Sequence, residues 1–327
     1  MTIGNRLLHL CTIFSLVLCA SIAGAASAQS YPIKPIRIIV AAPPGGGSDR
    51  TARMLGEKLL SAFGQQVIVE NRGGGSTNIA SELAAKASPD GYTLYLCTPA
   101  VSINPSLFRK LSYDTLKDFA PITQVVELTY IFVVNPSVPA KTVKEFIAFA
   151  KSQKGGITYA SAGMGAPGHL GMELLKILAG FDAVHVPYNG AGPTMVALIA
   201  GEAVAHISTM PSGLPHVRSG RIRAIALTSL KRSVLLPDVP TIAESGFPGF
   251  EIVGWYGLLA PAGTPREVVV KLYKEVSGIL KLPDVRDRLS RDGADPVGTT
   301  PEELAAYIKA EMIKYAKVVK QSGAKMD

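Results

Sequence analysis

Four times in this chain a short apolar run breaks into a glycine-rich loop and then into a stretch of helical period. That alternation constrains the fold more than any other feature. A strand covered on both faces reads as a continuous apolar, β-branched run, and helices must supply the cover. Residues 36–42 (IRIIVAA) are the first such run. Pro43 and Pro44 end it and Gly45, Gly46 and Gly47 make the turn. Ser48 or Asp49 can then cap a helix in which Ala52, Leu55, Leu59 and Leu60 share a face. Residues 66–70 (QVIVE), the loop 71–75 and a helix through 79–87, capped by Ser76 or Thr77, repeat the unit. A Pro89-Asp90-Gly91 turn leads to a strand over 92–97.

The second half reads the same way. Residues 130–134, 157–160, 183–186, 204–208, 222–228 and 255–260 have strand character. Helices are expected over 142–151 and over 193–200, the latter with proline in its first turn. The tail is helical over 265–280, 283–292 and 301–321. Such alternation predicts doubly wound α/β sheets flanked by helices, and the chain is long enough for two. The expected division is 29–128 plus 252–327 as one domain and 129–251 as the other, with a ligand cleft between them. The crossings are expected near Glu127 and near 250–254.

The N-terminus reads as a processing segment. Arg6 is followed by an apolar stretch over 7–23 and by Ala26-Ser27-Ala28, a small-residue cleavage site, so residues 1–28 are expected to be a cleaved signal peptide. Leu18 before Cys19 is too bulky for a lipoprotein signal. Cys11 and Cys19 leave with the peptide, and Cys97 remains alone in an apolar run as a buried thiol. The formal charge of +8 favours anionic partners. No basic and aromatic stripe suggests nucleic acid.

The loops over 43–49, 72–78, 161–169 and 188–194 lie at the carboxyl ends of strands, where open α/β sheets bind ligands. Each leads into a helix N-terminus, whose unpaired N–H groups and dipole attract an anion. Gly163, Gly165 and Gly168 also match the dinucleotide pattern G-x-G-x-x-G. That pattern needs an acidic residue at the end of the next strand, yet this strand ends in Val186-Pro187-Tyr188-Asn189, so no nicotinamide or other cofactor is expected. His169 and Glu173 are spaced for a shared metal but have no third ligand in a zinc pattern. His169 is read as lining a pocket and Glu173 as facing solvent. His185 is read as a core residue and His206 as able to face a cleft. No nucleophile with a base partner appears.

Several ordered motifs resemble the Bug receptors, the periplasmic substrate-binding proteins of tripartite tricarboxylate transporters. They are VAAPPGGGSD (40–49), VENR (69–72), SPDGYT (88–93), YASAG (159–163), HVPY (185–188), LPDVPTIAESG (236–246) and WYGLLAPAGTP (255–265). The resemblance implies a two-domain periplasmic binding protein of the Venus-flytrap kind, type II-like, that closes on a small organic carboxylate. It implies no catalysis. Carried over, it implicates Gly46, Gly47, Ser48 and Asp49 in the first domain. In the second it implicates Ser161, Ala162, Gly163, Gly165 and His169, with Tyr188 and Gly190 behind them. Asn78, Thr98 and Thr209 complete the candidate set.

The chain departs from the family pattern at Met164, at Ala166 and at Ala205, where many relatives are more polar, and a less polar cleft suited to a longer or aromatic acid follows. A monomer serving membrane transporter subunits is expected. Two further readings stand beside this one: a receptor that reports its ligand to a sensor kinase, and a periplasmic enzyme using Asp49 and His169 as acid and base.

Overall fold

Three short strands, β1 (Ile36–Val40), β2 (Val67–Asn71) and β3 (Thr93–Cys97), open the fold as a parallel sheet in the order β2-β1-β3. The computed structural model describes residues 31–326, of which those from Lys34 onward form one compact unit. The expected signal peptide, with Cys11 and Cys19, lies outside the described residues. Helices α1 (Gly47–Phe63) and α2 (Asn78–Ala85) make the two crossovers, and α3 (Ala100–Leu107) follows β3.

The sixteen-residue strand β4 (Phe119–Val134) then joins two sheets. Its first part pairs antiparallel with β9 (Val253–Pro261), from Phe119 opposite Pro261 to Thr129 opposite Val253. β9 pairs in turn with β3, and the short β10 (Ala294–Pro296) takes the other edge of β4. From Tyr130 onward β4 lies between β7 (Ala205–Thr209) and β8 (Arg223–Leu227). β5 (Ile157–Ser161) extends this second sheet parallel to β7, and β6 (Ala183–Pro187) forms its edge. Helices α4 (Val143–Ser152), α5 (Pro167–Ala179), α6 (Ala191–Ala200) and α7 (Met210–Arg218) connect its strands. The tail forms α8 (Arg266–Ile279), α9 (Pro283–Arg291) and α10 (Pro301–Ser322).

Each sheet carries its own apolar core. Ile39, Tyr95, Cys97, Trp255 and Leu259 pack on the first. Phe132, Phe146, Tyr159, Leu170 and Ile207 pack on the second, where Phe146 meets Phe132 edge-on at 4.8 Å between ring centroids. α10 enters both, giving Leu304 and Ile308 to one core and Tyr315, Val318 and Val319 to the other. Among the described residues, no helix is long and apolar enough to cross a membrane.

Four elements depart from the sequence expectation, one of them β10, a three-residue strand too short to show a period. β4 begins eleven residues before the expected 130, because Pro121 and two register shifts break its alternation. α3 and α7 were not expected, since prolines inside both, and a glycine inside α7, mask their period. The caps differ too. Gly46, not Ser48 or Asp49, is the N-cap of α1, and Thr77 precedes α2 without a side-chain cap.

Candidate functional site

A cavity of about 530 Å³ lies where loops from both sheets meet. Five helices begin on its wall: α2 after Thr77, α3 at Pro99 and Ala100, α5 at Ala166 and Pro167, α6 just after Tyr188 and Asn189, and α7 after Thr209. None of the five has a side-chain cap. Away from the cavity, Thr142 caps α4 and Thr300 closes a full capping box on α10, while α8 and α9 also lack a side-chain cap. Uncapped first turns leave N–H donors and the positive end of each helix dipole for a ligand. Among the described residues, no Lys, Arg, His, Asp or Glu lines the cavity. Main-chain groups and the side chains of Ser76, Thr98, Asn189 and Thr209 supply the polar share of the wall, while Ile103, Leu107, Tyr130, Met164 and Trp255 give the rest an apolar character. A second groove of about 560 Å³, between Met210, Leu214, Arg218, Leu235 and Arg291, contains none of the sequence-predicted site residues.

The loop between β5 and α5 is held from beneath. Gly165 N–H donates to His169 Nδ1 at 3.0 Å, which fixes His169 as a neutral ring with its proton on Nε2. Burial, then the neighbouring His185 and Lys176, push the His169 pKa down to about 3. His169 stacks on His185 at 3.9 Å, and His185 stacks on Tyr159 at 5.0 Å. Ser161 Oγ donates to Gly163 O and meets His185 Nε2 at 2.6 Å. Burial lowers the His185 pKa to about 4, so this column is uncharged near neutrality. Tyr188 N–H donates to Ser161 O and Gly190 N–H to Ala162 O, tying the neighbouring loop to this one.

The glycines serve chain geometry. Gly163 and Gly165 have φ of 139° and 73°, in the region that disfavours a side chain. A Cβ on Gly168 would stand 2.4 Å from Ile207 O, so Gly168 lets α5 lie against β7.

On the opposite wall Ser76 and Thr77 take left-handed backbone angles, φ 50° and 74°, which are costly for residues with a Cβ. Asn104 holds that turn by donating to Ser76 O and to Asn78 Oδ1, both at 2.7 Å. Asn78 thus braces the wall from behind, where it also accepts from Tyr113.

The sequence-predicted residues therefore divide. Thr98, Ala162, Gly163, Gly165, Tyr188 and Thr209 line the cavity, whereas Gly46, Gly47, Ser48, Asp49, Asn78, Ser161, His169 and Gly190 do not. The first loop is nonetheless adjacent, since a Cβ on Gly47 would lie 2.8 Å from the Tyr256 hydroxyl, and Tyr256 is on the wall. Asp49 is fully engaged elsewhere. Its carboxylate accepts from Gly45 N–H, from Asn71 and from the Arg53 guanidinium through both oxygens. Burial alone would raise its pKa, but the bonds from Arg53, Gly45 and Asn71 hold it below the usual range.

Glu173 is buried rather than solvent-facing, accepting from Tyr159 and Lys176. His185 lies half-buried on an edge strand rather than in the core. His206 turns inward to Ala160 O at 2.9 Å and not to the cleft. Met164 and Ala166 line the cavity, but Ala205 is buried in the core. Asn104 and Tyr256 were missed. The first sits in a helix that its prolines hid, and the second inside an apolar strand where no local signal marks the cavity-facing side.

Residues 51–324 match the tripartite tricarboxylate transporter family receptor. The chain belongs to this family. Protein BugT of Bordetella pertussis is 36% identical over 324 residues, covering 98% of this chain and 99% of that one. The structure of R. palustris Rpa4515 with adipate superposes with a TM-score of 0.81 at 33% identity, over 90% of this chain and 98% of the other. MatC from Rhodopseudomonas palustris with bound malate gives 0.74 at 32%, over 88% and 100%. The chain is thus a periplasmic receptor of the tripartite tricarboxylate transporter family, with the mixed α/β fold of periplasmic binding proteins, and it is a binding protein, not an enzyme. The acid–base pair expected in the enzyme reading is accordingly two structural groups: Asp49 ties the first two loops together and His169 anchors the loop over 162–166.

Proposed function

We propose that this receptor captures a small organic carboxylate in the cavity and hands it to the membrane subunits of a tripartite tricarboxylate-type transporter. The observation that carries the reading is the set of five uncapped helix starts around a cavity with no ionised side chain on its wall. Such a wall suits an anion satisfied by main-chain N–H groups. A basic side chain is not needed to attract it, and an acidic one is not there to repel it. Adipate and malate, bound in two similar structures, are dicarboxylates, which agrees with this class. The apolar share of the wall favours an acid with an apolar body over a short hydroxylated one.

In this reading Thr98, Ala162, Gly163, Gly165, Tyr188 and Thr209 contact the ligand. Gly46, Gly47, Ser48, Asp49, Asn78, Ser161, His169 and Gly190 shape the loops behind them. The protein works as an exported monomer after loss of residues 1–28. Its lobes are 29–128 plus 252–327 and 129–251, a division supported by the change of sheet in β4 between Thr129 and Tyr130. Ligand favours the closed arrangement because both lobes then donate to one molecule.

The test is thermal unfolding of the mature protein against mono-, di- and tricarboxylates, aromatic acids and nicotinamide cofactors. Ligand at about a hundred times its dissociation constant stabilises by roughly 2.7 kcal/mol. A shift with one carboxylate class is expected. A shift with nicotinamide cofactors alone would overturn the reading.

A further inference from the structure

One stretch of the cavity wall belongs neither to a sheet nor to a strand-to-helix loop. α10 ends at Ser322, and Gly323, with φ 70°, turns the chain. Ala324 is buried in the second core and its N–H donates to Ser322 Oγ. Two residues later Met326 N–H donates to Leu107 O at 2.9 Å, and Met326 forms a parallel bridge with Phe108 just beyond α3. The Met326 thioether receives the Ser76 hydroxyl at 3.6 Å. Ser76, Leu107 and Met326 all line the cavity. The segment is therefore anchored by a core residue at one side and by a backbone bridge at the other, and it presents an uncharged, flexible side chain to the ligand space.

We propose that Gly323–Met326 is a strap closing one wall of the cavity, and that Met326 is a specificity-determining residue that limits how long the ligand's apolar part can be. The proposal rests on the reading of this cavity as a carboxylate site. Three features of the geometry argue for it. Methionine is unbranched and polarisable, so it fills an irregular gap beside an apolar chain without imposing a fixed shape. Ser76, which contacts the thioether, is one of the two strained residues on this wall, so the strap touches the part of the site whose conformation is most closely held. The strap's attachment is to the backbone of Leu107, so changing the Met326 side chain leaves the attachment in place. Trimming Met326 to alanine removes Cγ-side bulk and opens room for a longer ligand. Each further buried methylene then tightens binding about four-fold.

The experiment measures affinities of the mature protein for the unbranched dicarboxylates from butanedioate to decanedioate and for the matching monocarboxylates. It compares wild type with Met326→Ala, Met326→Phe and Met326→Leu, with the thermal midpoint of each free protein as a folding control. Met326→Ala is expected to move the preferred length upward, with about four-fold tightening per added methylene beyond the wild-type optimum. Met326→Phe is expected to move it downward and to weaken the longest wild-type ligands about ten-fold or more, the loss expected from overpacking. Met326→Leu, close in volume, keeps the wild-type profile. Wild-type binding with an unchanged length profile in folded Met326→Ala and Met326→Phe overturns the role of Met326 alone. Failure of wild type to bind any of these acids while a tricarboxylate or aromatic acid shifts its unfolding overturns this proposal alone, and failure with every carboxylate overturns the carboxylate reading with it.

Discussion

At the scale of single residues, the same amino acid does opposite work according to what stands next to its Cα. Gly168 and Gly192 both occupy the first turn of a helix, α5 and α6. A Cβ on Gly168 meets the main-chain oxygen of Ile207 at 2.4 Å, while one on Gly192 meets nothing within 4 Å. Backbone cannot swing aside as a side chain can. Gly168→Ala is therefore expected to destabilise by about 1–3 kcal/mol despite alanine's better helix propensity. Gly192→Ala is expected to stabilise by up to about 1 kcal/mol through the unfolded chain. Denaturant midpoints of the two variants decide the matter: shifts of the same sign would show that the α5–β7 approach does not set the requirement at 168. The dinucleotide-like spacing of Gly163, Gly165 and Gly168 is thus a record of chain geometry, two positive-φ positions and one close approach.

At the scale of elements, α5 and β7 hold the buried histidines His169 and His206, which stay neutral. His206 on β7 donates to Ala160 O from a neutral ring, and burial lowers its pKa to about 4. In the unfolded chain the same ring takes up a proton near 6.5. A histidine whose folded pKa is lowered stabilises above the unfolded value, and its contribution shrinks as pH falls from about 6.5 toward the folded value. The carboxyls of half-buried Glu127 and buried Glu311, both raised chiefly by desolvation, pull the other way, so the total profile mixes both signs. The difference between wild type and His206→Gln isolates one ring. His206→Gln is expected to be less stable at pH 7, with the gap narrowing below about 6.5 by at most about 1.4 kcal/mol per pH unit. A gap that does not change with pH would rule out a folded-state pKa lowered below the unfolded value at His206.

Legibility in the sequence ends at this same scale. β1 and α4 could be read because a β-branched run and an amphipathic period are local signals. β4 could be read only in its last five residues, because Pro121 and the bulges scramble the period where the strand pairs with β9. The loops at the cavity were legible as glycine-rich strand ends. Asn104, Tyr256 and Met326 were not, because each reaches the cavity through a tertiary contact: a proline-bearing helix, one face of a buried strand, and a strap pinned to Leu107.

At the scale of the whole molecule, two sheets with separate cores share β4 and α10. Leu304 and Ile308 of α10 are buried in one core, and Tyr315, Val318 and Val319 in the other. Removing either core exposes its share of the helix, and losing the helix exposes both. At about 1.5–3 kcal/mol for each fully buried side chain, the five residues amount to roughly 7–15 kcal/mol as an upper estimate. That is as large as the net stability of most folded proteins. Neither core is therefore expected to persist once the other has opened, although each has its own sheet. Calorimetry of the mature protein should give one transition whose calorimetric and van't Hoff enthalpies agree. A saturating carboxylate should move that transition as a whole, since ligand touching loops of both sheets stabilises every residue that unfolds with them. Two transitions, only one of them moved by ligand, would mean that α10 can leave one core while remaining seated in the other. Cutting the coupling at α10 offers the complementary result. Tyr315→Ala and Leu304→Ala each remove a fully buried side chain from opposite ends of the helix, at a cost of about 2–5 kcal/mol. In a coupled molecule both variants lower the same single midpoint.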